Sequence, residues 1–345
     1  MARLIKLPES KDAFEDVLFK LFQSTRLNFI LGAGASRPAI PALGDIENEV
    51  QADIDSGNHE SAEEKLYDFL KVINQQTNDL VNCVDDPDIK RTQANYQGFF
   101  KNIERILNER ENSILPKQLN LFTTNYDLFV EDALETFDSM VLIDGFARKP
   151  TLRDKIKFSS GTFSNSIYNS GNLYNYKVEM PSINLYKLHG SMSWLLEKDE
   201  IIFKIPNREL LADSAGVEEK SDFNSGHSLV LPRKNKFEET LLQQVYYDLL
   251  RLYANELDKE NSTLLVFGFS FADEHILDIT KRALKNPALK VIIFAFDQAA
   301  AEIFQTEFNE YHNVDVVSAD AELDFQFLND LISGLLPKNK NDNGS

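Results

Sequence analysis

Four short segments carry residue types that could do chemistry: Gly32-Ala33-Gly34-Ala35-Ser36, Thr124-Asn125-Tyr126-Asp127, His189-Gly190-Ser191 and Gly268-Phe269-Ser270. Glycines at 32 and 34 would let the backbone, with Ala33 and Ser36, turn tightly against a phosphate, a helix N-terminus adding positive potential. Asn125 supplies a carboxamide that can donate to and accept from a ribose hydroxyl or an attacking water. Asp127 places a carboxylate beside it. His189 supplies an imidazole, the side chain that titrates nearest neutrality and suits a general base. Gly268 and Ser270 offer a second turn and a hydroxyl for phosphate or ribose, and Asp297 an acid at a strand end for a ribose hydroxyl. These are parts for nucleotide chemistry.

Each segment also has a purely structural reading. A small-residue turn after a strand is common, and Pro38 and Ala39 leave the G-x-G-x-x-G fingerprint incomplete. Thr124 or Asn125 could cap a helix with Asp127 in its first turn, and Asp273 could cap the next one. His189 alone could be a hydrogen-bonded residue at a strand end. One cysteine and no histidine pair at ligand spacing argue for no metal site. The G-x-S-x-G nucleophile frame is absent too.

The elements that must position these residues follow from the apolar pattern. Phe14, Val17, Leu18, Leu21 and Phe22 predict a helix over 10–25, and a strand at 27–31 precedes the glycine turn. Residues 45–111 read as a charged helical insert, broken near Asp85-Asp86-Pro87-Asp88, with long helices at 60–82 and 95–111. It could cover a pocket or present a surface to a partner. Strands at 119–122, 140–143 and 183–188 follow, the first continuing into a helix through 137 and the last delivering His189. Residues 147–182 suggest an inserted hairpin or irregular subdomain, 201–205 a further hairpin strand, and 206–228 a polar loop. After a helix at 237–258, strands at 264–267, 291–294 and 314–317 alternate with helices at 273–285, 298–310 and 323–335. The expected fold is α/β: a doubly wound, mostly parallel Rossmann-like sheet with helical and irregular inserts. One domain, 1–335, would hold inserts at 45–111, 147–182 and 198–232, with 336–345 a disordered tail. In such sheets ligands bind outside the carboxyl ends of the strands.

Composition narrows the partners. A net charge of −19 disfavours direct contact with nucleic acid, and Arg233-Lys234-Asn235-Lys236 reads as a solvated loop. No apolar run approaches the roughly 20 residues that span a bilayer, and the N-terminus lacks a signal-peptide core. A lone Cys83 fits a reducing compartment. The expectation is a soluble cytoplasmic protein.

Taken in order, the four segments resemble the sirtuin (Sir2-like) superfamily. Gly32-Ala33-Gly34-Ala35-Ser36 is similar to its Gly-Ala-Gly-x-Ser loop, and Thr124-Asn125-Tyr126-Asp127 to its Gln-Asn-x-Asp segment. Leu188-His189-Gly190 matches Leu-His-Gly, and Gly268-Phe269-Ser270 stands where the family has Gly-Thr-Ser. The departures are informative. The deacylases' four-cysteine zinc ribbon has no counterpart, since 190–266 contains no cysteine, so no zinc ribbon is expected. Pro41-Ala42-Leu43-Gly44-Asp45 replaces their Pro-Asp-Phe-Arg. The pattern is similar instead to bacterial Sir2-like domains of antiphage defence systems. That resemblance implies an NAD+ glycohydrolase with NAD+ as its substrate and no metal. Asn125 and His189 would be catalytic, with Gly32, Ala33, Gly34, Ser36, Asp127, Gly268, Ser270 and Asp297 binding substrate. It also implies a homo-oligomer, or a HerA-like ATPase or Argonaute-like partner. An NAD+-dependent lysine deacylase and a noncatalytic nucleotide-sensing scaffold are the alternatives.

Overall fold

Runs of consecutive apolar residues without polar alternation call for strands covered on both faces. They fold that way in a computed structural model of the chain, which describes residues 1–41, 46–110, 114–147, 155–170, 177–197, 200–205, 210–212, 214–225, 229 and 240–335. The strands are β1 (Arg3–Leu7), β2 (Arg26–Leu31), β3 (Gln118–Thr123), β4 (Val141–Ile143), β5 (Tyr168–Asn169), β6 (Val178–Glu179), β7 (Ser182–Lys187), β8 (Trp194–Glu197), β9 (Glu200–Phe203), β10 (Ser262–Phe267), β11 (Lys290–Phe294) and β12 (Val314–Ala319). Eight of them form a parallel sheet in the order β1-β12-β11-β10-β2-β3-β7-β4, while β5-β6 and β8-β9 are small antiparallel ladders. The helices are α1 (Lys11–Ser24), α2 (Ile46–Asp55), α3 (His59–Val81), α4 (Pro87–Asn108), α5 (Phe129–Glu135), α6 (Val217–Ser225), α7 (Thr240–Asp258), α8 (Glu274–Ala283), α9 (Gln298–Glu307) and α10 (Phe325–Gly334).

Alternate strand residues feed two cores. Phe29, Leu31, Leu121, Leu185 and Leu265 pack with α1, α4, α5 and α10, and Ile30, Phe122, Tyr186, Leu264 and Val266 with α7, α8 and α9. Each such side chain taken fully from water stabilises by about 1.5–3 kcal/mol, which is why both faces are apolar. One row breaks the pattern. Asn28, Asn120 and Asn184 are neighbours across β2, β3 and β7, buried on the α7 side. Asn120 donates to Asn28 and to Glu256 of α7, and Asn184 donates to Asn120, so the amides form a chain that ends on Asn184 Oδ1, a buried acceptor without a partner among the described residues.

The topology positions the site. From β2 the sheet grows through β3 and β7 in one direction, then the chain returns to β10 on the other side of β2. The switch point between β2 and β10 is where such sheets open a crevice. Across it the register is level: Phe267 pairs with Leu31, Leu31 with Thr123, and Thr123 with Lys187. Four carboxyl ends therefore stand in one row, with neighbouring strands about 4.8 Å apart.

Several elements differ from the sequence expectation. The edge strand β1 escaped notice because Arg3 and Lys6 interrupt its apolar residues. It is anchored by Arg3, which donates to Asp315 of β12 at 3.1 and 2.7 Å. The Asp85-Asp86-Pro87-Asp88 run is a helix start as well as a break. Asp86 accepts the Asp88 and Ile89 N–H groups at 2.8 and 3.1 Å, and Pro87 opens α4. Within the expected polar loop at 206–228 lies α6, which is docked on α3 by Asn224–Glu63 and Lys220–Glu64 contacts. The tail at 336–345, the basic run at 233–236 and residues 42–45 lie outside the described residues. Among those described, no helix is long and apolar enough to cross a membrane.

Candidate active site

The two glycine turns are pressed together backbone to backbone. Gly32 N–H donates to Phe267 O at 3.1 Å and Gly34 N–H to Gly268 O at 3.0 Å. A Cβ on Gly32 would stand 2.4 Å from Gly268 O, and one on Gly34 2.7 Å from Gly268 Cα. Glycine is thus demanded here by loop–loop contact, a different reason from close approach to a phosphate. The expected α-helix start is also replaced: Ala33–Ser36 forms a single 3₁₀ turn. Any anion held there meets individual backbone amides rather than a helix dipole.

Ser36 closes that turn and is the hub of a buried network. Its hydroxyl donates to Asp127 Oδ2 at 2.6 Å and accepts from Asn125 Nδ2 at 2.9 Å. Tyr96 Oη of α4 lies 3.2 Å from the same oxygen. Because the serine proton is committed to Asp127, the tyrosine is the donor of that pair. The second amide hydrogen of Asn125 goes to Gly32 O at 2.9 Å. Both hydrogens being engaged, Oδ1 is the atom through which Asn125 would act on a ligand. Burial and the nearby Asp127 charge push the Tyr96 hydroxyl well above the usual phenol range, so it stays a neutral donor.

Beneath the turn, Lys187 is buried at the end of β7. Its Nζ donates to the Asp127 backbone carbonyl and lies 3.3 Å from Glu131 Oε2. Burial pushes the Glu131 carboxyl up, an effect that Lys187 opposes.

His189 leaves β7 beside Asn125, its strand end held by Leu188 N–H donating to Thr123 O at 2.8 Å. Its Nε2 lies 2.9 Å from Asp273 Oδ2, with both side chains mostly buried. Asp273 caps α8 as expected, Oδ1 accepting the His275 and Ile276 N–H groups at 3.0 and 3.1 Å. The helical insert packs against the chain that follows Asn125 and His189. Leu70 and Ile73 of α3 cluster with Tyr126 and Met192, which follow Asn125 and His189 in the chain.

A cavity of about 430 Å³ opens among the ends of β10 and β11, α4, α9 and α10, with Phe267, Phe294, Leu323 and Phe325 of the core that also holds Tyr96 in its wall. Gly34, Arg37, Gly268, Ser270 and Phe296 are in its wall, whereas Asn125 and His189 are not. Arg37 stacks 5.9 Å above the Phe296 ring. The structure thus divides the candidates. Gly32, Ser36, Asn125 and Asp127 share one network, Gly34, Gly268 and Ser270 share the cavity, and the Ala33–Ser36 turn joins the two. Ala33 is exposed in that turn. Asp297 stands apart as the cap of α9, accepting Ala300 N–H at 2.8 Å, though Phe296 and Ala300 line the cavity. Tyr96 and Lys187 were missed: the first sits among apolar helix positions, the second within an apolar strand. Among the described residues, no group of three His, Cys, Asp or Glu side chains could hold a metal ion.

A family model described as a SIR2-like domain matches residues 119–317, more than half of the chain. The match runs from β3 to β12 and includes Asn125, Asp127, His189, Gly268, Ser270 and Asp297. No curated protein matches the chain.

Proposed function

The chain belongs to the SIR2-like domain family, and from that premise we propose that it is an NAD+ glycohydrolase cleaving the bond between nicotinamide and ribose. Domains of this family bind NAD+. The observation that carries the reading is the level row Phe267, Leu31, Thr123 and Lys187. It sends the glycine turns, Asn125 and His189 off one edge of the sheet at the switch point.

In this reading the adenosine diphosphate part occupies the cavity, whose volume of about 430 Å³ falls within the range of small-molecule sites. The exposed Ala33 of the 32–36 turn, Gly268 and Ser270 meet phosphate or ribose, and Arg37 at the rim supplies positive charge. Asp297 offers its second carboxylate oxygen to a ribose hydroxyl. The nicotinamide riboside then extends toward Asn125 and His189. Water adds to C1′ as the C–N bond breaks, and the bond electrons neutralise the pyridinium as nicotinamide leaves. Asn125 Oδ1 orients the water or ribose, Asp127 holds Ser36 and the turn beneath it, and His189 takes the proton. A role in depleting NAD+ during antiphage defence, gated by oligomerisation or by a HerA-like or Argonaute-like partner, rests on the resemblance alone.

The test is to incubate the purified protein with NAD+, with and without its genomic neighbour, and to quantify nicotinamide and ADP-ribose. Nicotinamide release without any other substrate supports hydrolysis. Release only with an acylated peptide would make it a deacylase, and binding without turnover a scaffold.

A further inference from the structure

We infer that Asp273 is the positioning residue of His189: its carboxylate holds the imidazole in the Nε2–H tautomer, so that Nδ1 is the basic nitrogen the strand end presents. The consequence for catalysis rests on the hydrolase reading; the tautomer itself does not.

The two residues come from strands that are not neighbours. His189 follows β7 and Asp273 follows β10, with β2 and β3 lying between them in the sheet. Their contact therefore bridges the ends of the strands that carry the glycine turn and Asn125. The carboxylate is held from its other side, because Oδ1 accepts two backbone N–H groups at the start of α8. That leaves its orientation fixed with Oδ2 toward the ring, 2.9 Å from Nε2. An ionised carboxylate only accepts hydrogen bonds, so the nitrogen facing it must carry a proton. In a neutral imidazole the lone pair is then on Nδ1. With 13% and 10% of the two side chains exposed, water competes weakly for this bond. A carboxylate behind a working histidine commonly fixes tautomer and ring orientation in this way.

The experiment uses the full chain labelled with ¹⁵N-histidine. Two-bond ¹⁵N–¹H correlation separates the tautomers, and the His189 signals are identified by their loss in His189→Gln. The wild type should show the Nε2–H pattern. Asp273→Asn retains a residue that caps helices as well as aspartate does, but its amide can donate as well as accept. In this variant the His189 pattern should become mixed, while NAD+ turnover falls at least about 100-fold with little change in NAD+ binding. An Nδ1–H pattern in the wild type, or an unchanged pattern and turnover in Asp273→Asn, would overturn the inference. An Nε2–H pattern in a wild type that never consumes NAD+ would support the tautomer and sink the hydrolase reading instead.

Discussion

Tyr96 Oη lies 3.2 Å from Ser36 Oγ, so a helix of the 45–111 insert reaches the residue that ties the glycine turn to Asn125 and Asp127. Tyr96→Phe removes that donor, together with the hydroxyl's contact with Asn125, and leaves the ring. The ring stays stacked on Phe129 and edge-on to Phe325. A buried lone pair on Ser36 is left unfilled, which should cost about 1–2 kcal/mol of stability in urea denaturation. NAD+ turnover should fall further than this loss implies, because Asn125 shares the network. Wild-type melting and turnover together in Tyr96→Phe would remove the insert from the site.

Asn125 and His189 should respond differently to truncation. Asn125→Ala deletes both donors that hold Gly32 and Ser36, so it should lose about 2–3 kcal/mol of stability along with NAD+ hydrolysis. His189→Ala breaks the pair with Asp273 and a ring contact with Tyr126, so it should lose less, about 1 kcal/mol, with no hydrolysis. Circular dichroism melts beside a nicotinamide assay separate these outcomes. Full activity in both variants eliminates the assignment.

The glycine turns provide a test of packing independent of ligand. Gly32→Ala would push a methyl to 2.4 Å from the Gly268 carbonyl, where backbone must move on both sides. A loss of about 3 kcal/mol is expected, at the upper end for overpacking. Gly216→Ala meets nothing within 4 Å and should stay within about 0.5 kcal/mol of wild type. Equal stability of the two variants would show that the turns are not pressed together.

Glu131 sets a pH dependence. Burial raises its folded carboxyl above the ordinary value of 4.5, against the opposing charge of Lys187. Between those two values the folded state binds more protons than the unfolded chain, so this group's contribution to stability falls as pH rises. Asp127, Asp144 and Lys187 face it and are unchanged in Glu131→Gln, which does not titrate there. The stability of wild type minus that of Glu131→Gln should therefore decline from about pH 4.5 upward, as read by urea midpoints. A difference that grows with pH would mean that attraction to Lys187 outweighs desolvation.

Much of the architecture was legible in the chain. The runs at 27–31, 119–122, 183–188 and 264–267 fold as β2, β3, β7 and β10, and their parallel packing is the expected Rossmann-like sheet. Elsewhere local signals competed. Arg3 and Lys6 hid β1, whose strand state depends on the distant Asp315. Pro87 signalled a break and an N-terminus at once. The contact between the two glycine turns was not legible, because a turn signal does not say what presses against it. Tyr96 was unreadable, since a tyrosine at helical spacing beside Phe99 and Phe100 looks like core until its hydroxyl finds Ser36.

By itself, the order of residues determined which segments become strands and that polar groups follow them, because burial of apolar runs and turn chemistry act over a few neighbouring positions. Only the tertiary structure decided that Asn125 surrenders its amide hydrogens to the glycine turn, that His189 meets Asp273, that α3 packs on Tyr126 and Met192, and that α4 brings Tyr96 to Ser36. Hydrogen-bond partners tens of residues apart share no period along a chain; they are chosen when the sheet brings its carboxyl ends level.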